Sequence, residues 1–443
     1  MKIKIDHIAK IEGHAVFSAD IVNGKVDKAR MQVLEGARLL EGILRSRQYY
    51  EVSHITARIC GVCPVVHTLT SLKALEKAMD VGVSEQTILL RKLLMLGQII
   101  NSHALHIFFF SLSDFFDIDN DIKLIQKYPD KTKQAISVRD FGNEIINIIG
   151  GRSIHPLTPE VGGFTKLPSL EKIQKIGEMA KKILPEAIKL ASFFAKLEYP
   201  QFERKTDFIS LSSNGEYAIY DGNISINGKI QKSGIPVFME KIKEFQVSED
   251  AVKRTVINEK PYMVGAIARI NNNADKLNPK ANKILVEAKI YLPSRNPFHN
   301  ILGQAVEIVH CLEEVVNLIK KYKNKTIEII KPLPRPPLGK RREVERSGSG
   351  AAAIEAPRGT LFYFYEVGDD GLIKNCNIIT PTAQNLARLE EDLKIWLPRL
   401  HTPKRSDGGQ AQLQKQGLNE NEIKNKIKML IRAYDPCLTC ATH

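Results

Sequence analysis

Two CxxC pairs, Cys60-Gly61-Val62-Cys63 and Cys437-Leu438-Thr439-Cys440, stand at opposite ends of a 443-residue chain, the second closing three residues before the last. If these four thiols act together, the fold must carry both ends of the chain to one point. Everything between them then has to be organised around that meeting. Autonomous zinc ribbons and knuckles close their two pairs within about 20 residues, so the separation argues against such a module. Soft thiolates select zinc, copper(I), iron–sulfur or nickel over magnesium and calcium. Pro436 stiffens the entry to the second pair, and Gly61 lets the backbone turn tightly within the first. The remaining cysteines, Cys311 and Cys376, stand alone and read as small buried hydrophobes. Six cysteines are too few for a disulfide scaffold of this size, and their grouping favours metal or redox chemistry in a reducing compartment.

The pattern between the pairs is mainly helical. An alternating run over 14–22, an Asn23-Gly24 turn signal and a return over 26–33 predict a β-hairpin. Helical periodicity follows over 37–44 and 63–79. A proline-free stretch over 85–116 is long enough for one central bundle helix. Further helices are predicted over 138–149, 170–194, 302–319, 382–397 and 420–433. Short strand-like runs over 208–230 with Asn227-Gly228 suggest a small β-rich insertion, and strands at 361–367 and 372–379 flank a Gly368-Asp-Asp-Gly371 turn. Pro332–Pro337 reads as a stiff extended segment, and the Gly-, Ser- and Ala-rich run at 346–353 as a loop or close-packing segment. The fold class expected is α+β and predominantly α-helical, a central long-helix bundle with peripheral β-hairpins. It is expected as one domain over 1–443: an N-terminal hairpin (1–35), a helical core (36–200), a β-rich insertion (201–275), then helices, a β-hairpin and a metal-binding tail (276–443).

The net charge of +14 invites a nucleic-acid reading, which the distribution opposes. Lysines are interleaved with glutamates, and the densest run, Lys340-Arg341-Arg342, has no aromatic neighbours, whereas a nucleic-acid site concentrates charge on one face. A basic surface suits an acidic partner subunit instead. No run of roughly 18 uncharged apolar residues predicts a direct membrane span. The N-terminus lacks an apolar region followed by a small-residue cleavage site, so no secretory signal is visible.

Five segments of the chain carry a family resemblance. Arg58-Ile-Cys-Gly-Val-Cys-Pro64 with His67, and Asp435-Pro-Cys-Leu-Thr-Cys-Ala-Thr-His443, resemble the two signature motifs of the large subunit of [NiFe]-hydrogenases. Lys10-Ile11-Glu12-Gly13-His14 resembles the family's Arg-Ile-Glu-Gly-His motif, with lysine for arginine. Glu355-Ala-Pro-Arg-Gly359 and Thr380-Pro-Thr-Ala-Gln-Asn-Leu386 resemble two further segments, in family order. The fold implied is that of the large subunit, shared with the quinone-site subunit of respiratory NADH dehydrogenase. That relative, a nickel-free electron-transfer scaffold, lacks the four cysteines and is the alternative within the fold; a structural four-cysteine zinc protein is the alternative outside it.

The resemblance implies reversible heterolytic cleavage of H2 at a Ni–Fe(CN)2(CO) centre. Cys60, Cys63, Cys437 and Cys440 would bind nickel, with Cys63 and Cys440 bridging to iron. A bridging thiolate shares its lone pairs and is the poorer base, so Cys437 is the candidate proton acceptor. Arg358 is the second candidate, or else pairs with Asp435 and orients a dry pocket. Glu12 would carry the proton away, since a partly buried carboxyl can be tuned toward neutrality. His67 would donate a hydrogen bond to a cysteine sulfur. Glu41, the carbonyl of Leu386 and His443 would hold a separate ion, Mg2+ or Fe2+. An ending at His443 implies a terminus processed after metal insertion. The implied partners are an iron–sulfur small subunit, diaphorase or other electron-transfer subunits, a maturation protease and nickel-insertion proteins. Asn101-Ser102-His103-Ala104 departs from the aspartate of many periplasmic members and resembles the cytoplasmic bidirectional group, which couples to NAD(P) and has relatives using a deazaflavin.

Overall fold

A computed structural model describes residues 2–22, 25–34, 36, 39–118, 120–247, 250–323, 347–401 and 418–442. The chain begins with an antiparallel sheet of β1 (Lys2–Ile5), β2 (Ala15–Val22) and β3 (Lys25–Val33), in that order. Strand β1 adds to the predicted hairpin, whose Asn23-Gly24 turn lies outside the described residues. Alternation buries Ala15, Phe17 and Ala19 of β2 with Ala29, Met31 and Val33 of β3.

Helix α1 (Leu40–Leu44), α2 (Tyr49–Thr56) and a 3-10 turn (Ala57–Ile59) lead to the first cysteine pair. The sequence pattern missed α2 because its buried face mixes Tyr49 and Val52 with Ser53 and Thr56. Helix α3 (Pro64–Ala78) starts directly after Cys63, with Pro64 at the first helical position where its missing N–H costs nothing. Helix α4 (Glu85–Leu105) opens on Ser84, whose hydroxyl accepts the Thr87 N–H at 3.2 Å.

The predicted single helix over 85–116 changes pitch. Residues His106–Ser111 form a π-helical turn and Leu112–Phe115 a 3-10 turn. Apolar periodicity runs through both, so the pattern alone does not reveal the break. Over Glu85–Phe115 the segment is long and apolar enough to cross a membrane, yet 83% of its apolar window is buried within this fold. It is a core helix by that measure.

Helices α5 (Asp121–Lys127) and α6 (Pro129–Gly150), the β4 (Pro159–Glu160) and β5 (Gly163–Phe164) pair, and α7 (Leu170–Ala195) complete the first half. Helices α4 and α6 meet backbone to backbone. A Cβ at Gly97 would lie 2.9 Å from the Gly142 oxygen, and one at Gly142 would lie 2.6 Å from the Gly97 oxygen.

The middle of the chain holds β6 (Ile209–Ser212), β7 (Asn223–Ile226) and β8 (Lys229–Ile230), with Asn227 and Gly228 at positive φ as a type I′ turn requires. Next come α8 (Ile235–Lys241), the pair β9 (Ile242–Gln246) and β10 (Lys253–Ile257), α9 (Ala266–Asn273), α10 (Pro279–Glu287) and α11 (His299–Lys323). Helix α11 packs on α4, α7 and α9 and so runs through the centre of the molecule. The proline-rich segment and Lys340-Arg341-Arg342 lie outside the described residues.

Three antiparallel strands follow, β11 (Gly348–Ala356), β12 (Gly359–Val367) and β13 (Ile373–Ile379). Of the two expectations for 346–353, a loop or a close-packing segment, the second holds: Gly348 onward is strand. Its small residues serve close approach to α3: a Cβ at Gly350 would lie 2.3 Å from both the Ala74 oxygen and the Ala78 nitrogen. Helices α12 (Pro381–His401), α13 (Glu420–Ala433) and α14 (Leu438–Ala441) end the described chain.

Candidate metal centre

The two cysteine pairs meet. The four sulfurs lie within 4.8 Å of one another and all four residues are buried. Cys60 Sγ is 3.5 Å from Cys437 Sγ, Cys63 Sγ is 3.2 Å from Cys440 Sγ, and Cys437 Sγ is 2.9 Å from Cys440 Sγ. Each pair sits at a helix start, Cys63 preceding α3 and Cys437 preceding α14.

Several devices hold the loops. Glu12 forms a parallel bridge with Cys437: its N–H reaches the Pro436 carbonyl at 3.4 Å, and its carbonyl accepts the Leu438 N–H at 2.8 Å. The N-terminal motif thus pairs directly with the C-terminal one. The Cys437 N–H donates to Thr382 Oγ1 at 2.9 Å. Gln98 of α4 donates to the Val62 carbonyl at 2.6 Å and accepts the Val65 N–H at 3.1 Å, clamping the first loop.

Arg358 and Asp435 form a buried pair. Arg358 Nε donates to the Asp435 carbonyl at 2.9 Å and to Oδ1 at 3.1 Å, while Nη2 lies 3.0 Å from Oδ1. The other carboxylate oxygen accepts from Gln304 Nε2 at 2.9 Å. The Gln304 carbonyl meets His106 Nδ1 at 2.5 Å, and His106 Nε2 donates to the Arg432 carbonyl at 2.8 Å. Arg358 Nη1 is buried without a hydrogen-bond partner among the described residues. Arg358 lines a small cavity with Cys63, Cys437, Cys440 and His67. His67 Nδ1 meets the Tyr363 hydroxyl at 2.7 Å, which fixes the imidazole ring beside Cys63 and Cys440.

Electrostatics at the cluster are divided. The Cys437 side chain holds Cys60 well below the ordinary thiol range, with Cys440, Cys63 and the Arg358 charge acting in the same sense. The contact with Cys437 holds Cys63 well above that range, and burial does the same to Cys440. Four buried thiols in contact cannot all ionise without a cation between them. Such a donor set fits a thiophilic metal.

The second expected ion site is only partly in view. Glu41 accepts the Ile378 N–H at 2.9 Å and lies 3.3 Å from Lys253 Nζ. Leu386 is buried on α12. His443 lies outside the described residues.

A family model described as nickel-dependent hydrogenase matches residues 38–139 and 251–443. The chain belongs to the nickel-dependent hydrogenase family. Sulfhydrogenase 1 subunit alpha of Pyrococcus furiosus is 33% identical across 100% of this chain and 98% of that protein. NAD-reducing hydrogenase HoxS subunit beta of Cupriavidus necator is 26% identical, covering 100% and 94%. Among solved structures, an NAD+-reducing [NiFe]-hydrogenase in the H2-reduced state superposes with a TM-score of 0.85 at 26% identity, over 100% of this chain and 99% of that one. The fold is therefore that of the hydrogenase large subunit.

Sequence reasoning missed Gln98, Gln304, His106, Thr382 and Tyr363 as parts of this hydrogenase site. A signal existed for the two glutamines: each interrupts an otherwise apolar helical run, and a polar residue in that position is the informative one.

Proposed function

We propose that this chain is the catalytic subunit that splits H2 heterolytically and reversibly. One observation carries the reading: thiols from both chain ends converge beside a small cavity capped by Arg358. When bound, a Ni–Fe(CN)2(CO) group supplies the redox-active Lewis-acid site that polarises H2. Cys60 and Cys437 would hold nickel alone, and Cys63 and Cys440 would hold nickel and iron together.

The chain's own groups then manage the proton. Arg358 is held well above even arginine's usual range, because the charges of Asp435 and the cysteines outweigh the effect of burial. A guanidinium so held orients charge over the cavity and is a poor base, which leaves Cys437 as the acceptor. Glu12 would take the proton onward, a role its backbone pairing to the residues flanking Cys437 supports. His67, whose Nδ1 meets the Tyr363 hydroxyl, would donate from its other ring nitrogen to a cysteine sulfur. Glu41, the Leu386 carbonyl and His443 would hold the proposed Mg2+ or Fe2+ ion.

Cys311 and Cys376 are the cysteines left over, too few for a four-cysteine cluster, so electrons need an iron–sulfur small subunit. The likeness to NAD-reducing relatives supports diaphorase partners, NAD(P) as acceptor and a cytoplasmic location. A maturation protease and nickel-insertion proteins would complete the assembly pathway.

Cys437→Ser tests the reading. Hydrogen-dependent viologen reduction by the complex should vanish while the circular dichroism spectrum is kept. Near-native turnover would remove Cys437 from the mechanism. Zinc without nickel, or no infrared bands from carbon monoxide and cyanide in matured protein, would overturn the assignment as a whole.

A further inference from the structure

Arg358 sits on an unusual support. The pair Ala356–Gly359 closes β11 against β12, so Pro357 and Arg358 alone form the hairpin turn. Favoured two-residue hairpin turns need positive φ at the first central residue, which the proline ring forbids. Neither Pro357 nor Arg358 has positive φ. Pro357 instead suits the first central position of a type I turn and Gly359 follows at φ 133°, so local chemistry shapes the tip but does not hold it against the rest of the fold.

A second arginine does. Arg269 of α9 donates from Nη1 to the Ala356 carbonyl at 2.8 Å and from Nη2 to the Pro357 carbonyl at 3.0 Å. Its remaining donors reach Glu307 Oε1 at 2.6 Å, Glu307 Oε2 at 2.7 Å and Glu355 Oε2 at 3.0 Å. All five N–H groups of a fully buried guanidinium are thus engaged, in the fork geometry that only arginine offers. Glu307 is itself fixed by the Tyr217 hydroxyl at 2.7 Å and His103 Nε2 at 2.8 Å.

Helix α11 supplies the frame. Asn300, Gln304 and Glu307 lie four and three residues apart, on one helical face. Asn300 donates to the Ala433 carbonyl at 2.9 Å, Gln304 holds Asp435, and Glu307 holds Arg269. One face of one helix thereby registers the C-terminal tail against the Arg358 turn.

We propose that Arg269, locked by Glu307, is the positioning residue that aims Arg358 over the metal cavity. Among the described residues its hydrogen bonds reach no cysteine, and it meets Arg358 only through the turn. The functional consequence rests on the catalytic reading above; the positioning itself does not.

Arg269→Lys in the purified complex tests it, since lysine keeps the charge and loses the fork. A crystal structure should show the Arg358 guanidinium displaced from Asp435, with nickel and iron content as in wild type. Turnover should fall about 100-fold, the scale of a one-ångström misplacement. The Arg269→Lys/Arg358→Lys double variant should be no slower than Arg358→Lys alone. An undisplaced Arg358, or losses that multiply in the double variant, overturns the proposal. Full activity in Arg358→Lys with a displaced side chain in Arg269→Lys would instead refute the catalytic role of Arg358. If Arg269→Lys does not fold, Glu307→Gln takes its place, with the same displacement expected and a wild-type Arg358 position overturning the idea. Failure of both to fold would show the pair holding the core and not the turn, which also overturns it.

Discussion

Gln98→Met is the sharpest test of how the first cysteine loop is held. Gln98 is 1% exposed on α4, and both ends of its amide bind the loop and the first turn of α3. Val65 is among the first residues of α3, so its N–H has no partner within the helix and Gln98 acts as a cap from another element. Methionine fills a similar volume and removes both bonds. An unmet buried polar group costs about 1–3 kcal/mol. The Val62 carbonyl belongs to a half-buried residue and recovers part of its loss through water. The closed loop should therefore lose about 2–3 kcal/mol, a roughly 30- to 150-fold larger open population at a factor of ten per 1.4 kcal/mol. If metal leaves through the open loop, nickel loss from the purified complex to excess chelator should accelerate by that factor, followed by elemental analysis over time. A rate within about threefold of wild type would show that Gln98 does not hold the loop, whatever its hydrogen bonds.

Gly350→Ala should destabilise the chain by about 3 kcal/mol, because the added carbon meets backbone atoms of α3 that cannot rotate away; an unchanged thermal midpoint would refute the close contact. A pH effect follows from His310, whose pKa burial lowers to about 4 while Nδ1 accepts the Asn278 N–H at 3.1 Å. The unfolded chain binds this proton first, so the contribution is complete above about pH 6.5 and is lost as pH falls through about 4, at most ~3 kcal/mol. His310→Gln should flatten the acid limb of the stability curve by one proton's share, and an identical slope would exclude His310 as its source.

Much of the fold was legible because its elements are long and periodic. The core helices α3, α4, α7 and α11 announce themselves by apolar spacing, and the Asn227-Gly228 turn by its chemistry. Helix α2 was hidden by a half-polar buried face. The 346–353 segment was left open between a loop and close packing, because small residues signal a loop as readily as a strand pressed on a helix. In the site, the four cysteines, Glu12, Arg358, Asp435 and His67 were readable from motifs, and the structure brings them together.

By itself the sequence determined the donor atoms: four thiols in two pairs, a carboxylate beside one pair and an arginine between proline and glycine. Those are properties of residue type and local spacing. Tertiary structure alone decided which groups hold them. Gln98, Gln304, Glu307 and Arg269 reach their partners across 33 to 204 positions of chain. Such contacts leave no local period, because a buried hydrogen bond constrains two points in space and nothing in the sequence between them.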